Sequence, residues 1–150
     1  MLGMKIDATH IAIIRHLRDG RKSFRQIAKA IGISENTVRK RVNDLISEGV
    51  LNITGQVNPE AIPGHKIAII GVKLSTMNLI SKAEEFSKLK GVISASVVTG
   101  RFDIILFVLF NEKFRLLDFY VDEVSKIKEV QSVETFIVYK GYNLMAPYLL

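Results

Sequence analysis

A chain of 150 residues, 48% of them apolar, is long enough for one ordinary domain or two small ones, each with a core. It has no cysteine, which excludes a disulfide, a thiolate zinc site and a cysteine nucleophile. The net charge is +6, and the segment Arg15–Arg41 alone carries nine basic and two acidic residues, the footprint of a protein with a polyanionic partner.

No apolar run is long enough to cross a bilayer, and Met1–Ile6 is too short for a signal peptide, so a cytoplasmic protein with no membrane partner is expected. Met1–Met4 is read as a frayed end. Asp7 caps a first helix running to about Arg18, with Ile11, Ile14 and Leu17 facing inward and Ile6 and Ile11 spaced for a hydrophobic staple. His10 and His16, six residues apart, fit a solvated helix face, and with His65 they make no metal cluster.

Ser23 with Gln26 three residues on is a capping-box pattern, and Ile27, Ala28 and Ile31 give the second helix a buried face. Gly32 allows the reversal, and Ser34 caps a third helix whose Val38, Val42, Leu45 and Ile46 recur on one side. At about 100° per residue, Asn36, Thr37 and Lys40 point to the opposite side, with Arg39 and Arg41 on the flanks. Short amides and hydroxyls reach base edges, whereas arginine and lysine neutralise phosphate. Turn spacing, caps and basic flanks together predict a helix-turn-helix that binds double-stranded DNA through Ser34, Asn36, Thr37, Arg39, Lys40 and Arg41, with Arg25 from the preceding helix. The alternative is a solvated charged face. A basic helix lying on a membrane is disfavoured, because the apolar residues are spread over short helices that need one another for burial.

Gly49 ends the third helix. Val50–Val57 alternates weakly around Thr54-Gly55, consistent with a small β-wing or an extended linker, and Asn58-Pro59 to Pro63-Gly64 cannot be continuous helix. The domain boundary is placed near residue 64, giving a DNA-binding domain with linker strand over 1–64 and a second domain over 65–150. In the second, Lys66–Leu74, Val92–Val98, Asp103–Phe110 and Ser132–Tyr139 read as strands. Asn78–Lys90 reads as a helix with Leu79, Ile80, Ala83, Phe86 and Leu89 inward. A second, capped by Asn111, carries Phe114, Leu117, Val121 and Val124. The class is α+β: a winged-helix-like helix-turn-helix domain, then a β-α-β-β-α-β ferredoxin-like sandwich. Asp103–Phe110 is apolar on both faces, so something must cover the sheet opposite its helices. A second copy of the sheet in a two-fold dimer is preferred over the apolar tail Gly141–Leu150 folding back.

No Ser-His-Asp set, phosphate-cradling loop, metal-ligand cluster or isolated carboxylate pair supports catalysis, and no cofactor is implied. Glu84-Glu85 and Asp122-Glu123 are adjacent pairs whose members point apart along helices. An RNA-binding module shares the β-α-β-β-α-β order. It needs Lys/Arg-Gly-aromatic and exposed aromatics, where this chain has Thr99-Gly100-Arg101 and places Phe107 and Phe110 among aliphatics.

Asp7, the segment ISENTVRKRVNDLISEGVL with its Ser34, Val38, Arg41, Leu45, Glu48 and Gly49, the linker VNPEAIPG and the stretch VTGRFDIIL occur in one order over nearly the whole chain. With them the chain resembles the feast/famine, or leucine-responsive/asparagine (Lrp/AsnC), family of transcription regulators. The resemblance implies that the second domain binds a small effector, usually an amino acid, in a cleft between subunits, and that homodimers assemble further, often to octamers. The family's G-x-x-D signature falls on Gly100, Arg101, Phe102 and Asp103, and the implied effector-binding residues are Thr99, Gly100, Arg101, Asp103 and Thr135. Gly100 and Asp103 also fit a plain hairpin turn and its cap. Thr135 matches the hydroxyls that line the family's cleft, whereas Val133 stands where another would be common, and Arg101 adds a long cation to the loop.

Overall fold

A computed structural model describes residues 3–150; Met1 and Leu2, in the end read as frayed, lie outside the described residues. The chain forms two compact units that part between Thr54 and Gly55, ten residues before the boundary placed at 64. The stretch after Gly55 belongs with the second unit because its short strand β1 (Gln56–Val57) pairs antiparallel with β6 (Ala146–Pro147) of the tail. Of the two readings of 50–57, the extended linker fits, and residues 50–55 contain no strand.

The first unit packs α1 (Ala8–Leu17), α2 (Phe24–Ile31) and α3 (Glu35–Ser47) around Ile13, Ile27, Ala28, Val38 and Val42. Ser23 and Gln26 make the expected reciprocal cap, with Ser23 Oγ accepting from Gln26 N–H at 3.2 Å and Gln26 Oε1 accepting from Ser23 N–H at 2.8 Å. Gly32 ends α2 at φ +73°, the left-handed conformation that glycine adopts without Cβ strain. Of the expected inward face of α1, Leu17 packs against the core, but Ile13 takes the place expected for Ile11. Ile13 is fully buried and Ile11 is 42% exposed, so the staple of Ile6 and Ile11 stays at the surface. His10, expected in solvent, is only 7% exposed. Its ring takes the capping-box place usually held by Glu or Gln: Asp7 Oδ1 accepts from His10 N–H at 2.9 Å, and His10 Nδ1 accepts from Asp7 N–H at 3.2 Å.

The second unit holds a sheet of β2 (Lys66–Leu74), β3 (Val92–Val97), β4 (Ile104–Phe110) and β5 (Val130–Ile137) in the order β3-β4-β2-β5, with every neighbouring pair antiparallel. This is the expected ferredoxin-like arrangement. α4 (Leu79–Ser87) and a helical segment over 116–126 cover one face, where Ala68, Ile70, Val72, Leu106 and Val108 pack against Phe86 and Phe119. On α4 it is Lys82, not Ile80, that turns inward, with its ammonium held by Glu85 at 3.2 Å and Glu129 at 3.3 Å.

The helix expected from Asn111 begins later. Asn111 Oδ1 caps a turn by accepting from Lys113 and Phe114 N–H, and the helix runs as an α-turn (Leu116–Asp118), a π-turn (Phe119–Glu123) and a 3-10 turn (Val124–Lys126). The π-turn stretches the spacing of inward residues to five, so Phe114, Phe119 and Val124 are buried while Leu117 and Val121 face out. On the other sheet face the tail does fold back. Ala146 is buried against Ile67 and Leu109, with Leu144, Leu150 and Val138 packed alongside, whereas Phe136 remains 46% exposed on β5. No helix among the described residues is long and apolar enough to cross a membrane.

Two glycines with positive φ separate strain from crowding. A Cβ at Gly32 meets nothing, but at Gly91 (φ +78°) it would lie 2.6 Å from the Leu109 carbonyl oxygen. Gly32→Ala should therefore cost about 1–2 kcal/mol, the left-handed strain alone. Gly91→Ala should cost more, because strand backbone has to move. Urea unfolding of both variants checks the order.

Candidate nucleic-acid interface and effector loop

α3 begins at Ser34, whose Oγ accepts from Thr37 N–H at 3.1 Å and lies 2.8 Å from the Thr37 hydroxyl. Val38, Val42 and Leu45 fasten its inner side, and Ile46, expected on the same stripe, lies half outside it. Asn36, Thr37, Arg39 and Lys40 are exposed on the outer side, as their spacing predicts. Lys40 has no partner among the described residues, and neither does Arg25, exposed on α2. Arg39 is partly engaged: it pairs with Glu35 one turn back at 3.0 Å, and its guanidinium stands 5.4 Å from the Phe24 ring centroid.

Arg41 differs from the rest. Its Nη1 donates to Asp7 Oδ2 at 2.7 Å and lies 3.1 Å from both ring nitrogens of His10. This side chain, expected on phosphate, bridges the middle of α3 to the first turn of α1. Asp7 answers two donors. The His10 backbone N–H first and the Arg41 guanidinium second lower its carboxyl from the ordinary 3.8 to about 2. Between the two helices runs an open groove of about 660 Å³, lined by Asn36, Thr37, Lys40 and Arg41 with Asp7 and Asp44. The outer face of α3 thus offers an amide, a hydroxyl and a free ammonium on a rod of about 20 Å, which a major groove about 12 Å wide admits.

In the second unit the loop between β3 and β4 carries Thr99, Gly100, Arg101 and Asp103. Gly100 sits at φ +127°, where an L side chain would be strained. Asp103 works as a loop anchor: its Oδ2 accepts from Leu74 N–H and its Oδ1 from Lys73 Nζ, both at 2.8 Å, and its backbone N–H donates to Val72 carbonyl at 2.9 Å. The Leu74 N–H, then the Lys73 ammonium, hold the Asp103 carboxyl below its ordinary value. Both side-chain oxygens are therefore occupied by the protein's own donors.

Arg101 pairs with Glu134 of β5 at 2.8 Å, and Phe102 lies flat on Gly71 of β2, where a Cβ would fall 2.6 Å from the ring. Arg101, Phe102, Lys73, Ser132 and Glu134 line a shallow cavity of about 310 Å³. Thr99 is exposed on the loop. Thr135 is not part of this constellation. It sits on the helix-covered side of β5, where its hydroxyl bonds the Tyr120 hydroxyl.

Phe102, Glu134 and Lys73 are the participants that the sequence reading missed. The one signal for them was Gly71, a glycine inside an otherwise apolar strand, which marks a close approach by something else.

Residues 6–52 match the family model described as winged helix-turn-helix DNA-binding, and residues 67–145 match that of the Lrp/AsnC ligand binding domain. An HTH-type transcriptional regulator of Pyrococcus abyssi is 34% identical over 137 residues, covering 90% of this chain and 87% of the relative. Among solved structures, Escherichia coli AsnC superposes with a TM-score of 0.68 at 24% identity, covering 94% of this chain and 97% of that one. A transcriptional regulator of Neisseria meningitidis in complex with L-Met gives a TM-score of 0.68 at 21% identity, covering 97% and 96%. The relatives are named as HTH-type transcriptional regulators.

Because its folded carboxyl is depressed to about 2, Asp7 contributes stability that is complete above about pH 4 and lost as pH falls toward 2. Thermal melts of the intact protein between those pH values should show the first unit weakening on acidification. Asp7→Asn should start less stable at neutral pH and lose less on acidification. A wild-type melt that does not change over this window would contradict the assignment.

Proposed function

The chain belongs to the Lrp/AsnC family of DNA-binding transcription regulators, and from that premise we propose that it recognises specific operator sequences through the outer face of α3, under control of a small effector held at the β3–β4 loop. The observation that carries the first half is the division of labour on α3. Arg41 and the apolar stripe hold the helix, while Asn36, Thr37 and Lys40 project from the opposite side, with Lys40 unpaired among the described residues. Asn36 and Thr37 read base edges, and Lys40, Arg39 and Arg25 lie on phosphates. Ser34 acts mainly as the cap that aims the first turn of α3. A homodimer sets two such helices into successive major grooves on one side of the duplex, and dimers assemble further into an octamer. The protein works in the cytoplasm.

The effector half rests on the ligand-binding family match and on the loop itself. Gly100 and Thr99 leave backbone and hydroxyl open, and Arg101 offers a guanidinium for a carboxylate once it leaves Glu134. The Neisseria relative was solved with L-Met, and an amino acid is the effector class proposed here. Asp103 serves this site by holding the loop to β2, and Thr135 serves it only indirectly, through Tyr120.

Duplex selected from a random pool, then titrated by fluorescence anisotropy at several salt concentrations, tests the reading. Lys40→Ala should weaken every duplex and reduce the slope of log K against log salt by about 0.9, one phosphate. Asn36→Ala should leave that slope alone and cost about 1–3 kcal/mol only on the selected sequence. Among single amino acids added to the titration, one should shift affinity about 5- to 150-fold, and Arg101→Ala should abolish that shift. Equal loss from both helix variants on all sequences, or equal binding to single strands, would defeat the operator reading. No response to any of the twenty amino acids at millimolar concentration would defeat the effector reading alone.

A further inference from the structure

The helical segment over 116–126 does not reach the last row of the sheet. Lys66 of β2 and Phe110 of β4 pair in the last row, and Ile137 of β5 pairs with Ala68 one same-face step inward; all three lie on the helix-covered face at the end where the helix has only begun. What remains uncovered there is a cavity of about 430 Å³ between this row and Arg115-Leu116, in the size range of small-ligand pockets. Its floor is apolar: the Phe110 ring, Leu116 and Ile137, of which Ile137 is 48% exposed.

Its rim is charged, and among the described residues the charges are at most loosely paired. Lys66 has no partner among the described residues, and Arg115 makes only a long 3.6 Å contact from Nε to Asp118, which leaves its two Nη groups without an acceptor. Glu112, also without a partner among the described residues, lies against Gly64 at the same rim, with its Cγ in the space that a Cβ there would need. Gly64 therefore keeps open the space into which the Glu112 side chain folds.

We propose that this cavity is a second ligand site, separate from the β3–β4 loop, and that it takes a small carboxylate with a short apolar body. The carboxylate sits between the Lys66 ammonium and the Arg115 guanidinium, and the body lies on Phe110, Leu116 and Ile137. An acid alone has nothing to bind the floor, and a hydrocarbon alone leaves the two cations unanswered. Such a ligand comes from two sources, free branched-chain carboxylic acids and apolar amino acids. Glu112 distinguishes them, because it attracts an ammonium and repels a second negative charge. The site does not depend on the effector reading: none of its residues belongs to the loop that carries Arg101.

Calorimetric titration of the full chain with isocaproate, leucine, acetate and uncharged isocaproamide tests it, with amide NMR shifts to locate binding. Isocaproate or leucine should saturate with shifts at Lys66, Phe110, Arg115 and Ile137. Acetate and isocaproamide should bind at least about tenfold more weakly, since each lacks one half of the recognition. The tighter of the first two names the source: leucine if Glu112 holds an ammonium, isocaproate if it does not. The double variant Lys66→Ala, Arg115→Ala should lose the binding about tenfold or more with its melt unchanged, as both side chains are exposed. Arg101→Ala should leave it intact. Acetate binding as well as isocaproate, shifts confined to residues 98–103, loss of binding in Arg101→Ala but not in the double variant, or no saturation by either acid would each overturn the proposal.

Discussion

One ionised carboxylate fixes the geometry of the DNA-binding unit. Asp7 accepts from the first turn of its own helix and from Arg41 in the middle of α3, so the cap of α1 and the setting of α3 are one interaction. The buried stripe of Val38, Val42 and Leu45 does not by itself set how a helix of 13 residues is rolled about its long axis, since apolar contacts are not directional. The charged tie at the flank of that stripe resists the roll, and the direction in which Asn36, Thr37 and Lys40 project follows from it. The partner ring of His10, tucked beneath the guanidinium, gives the tie a buried side.

The second unit solves a different problem, a sheet apolar on both faces. One face is closed by α4 and the 116–126 segment. The other is shared. The tail seals the end with Ile67 and Leu109, while the β3–β4 loop lays Phe102 over Gly71 near Phe136. Asp103 connects that loop to the strand end at Leu74 and Lys73, so any group that moves Arg101 acts on a loop already anchored at its base. Phe136 leaves apolar surface exposed on β5.

Much of this was legible in the residues. α2 and α3 announce themselves because cap, apolar stripe and terminating glycine agree at each end, and β2 falls where its apolar run does. What escaped has local physical causes. A histidine in the capping-box place of α1 is an uncommon substitute, so the stripe expected through Ile11 lies instead through His10 and Ile13. A π-turn cannot be seen in a 3.6-residue pattern, and it exchanged Leu117 and Val121 for Phe119 as inward residues. Ion pairs formed across 34 residues, as between Asp7 and Arg41, leave no trace in spacing. Arg41 therefore looked like one more basic residue on the recognition helix. Thr135 came only from the family resemblance, and its bond to the Tyr120 hydroxyl, between residues 15 apart, likewise leaves no trace in spacing.

The claim at the centre is that one face of α3, held by Arg41 and the buried stripe, meets the duplex. Amide shifts of the intact protein, followed as a selected duplex is added, test it most directly. The largest changes should fall on residues 34–40, with smaller ones at Arg25 and little at Val42 and Leu45. Shifts spread over β3 and β4 with the 34–40 segment unmoved would contradict it.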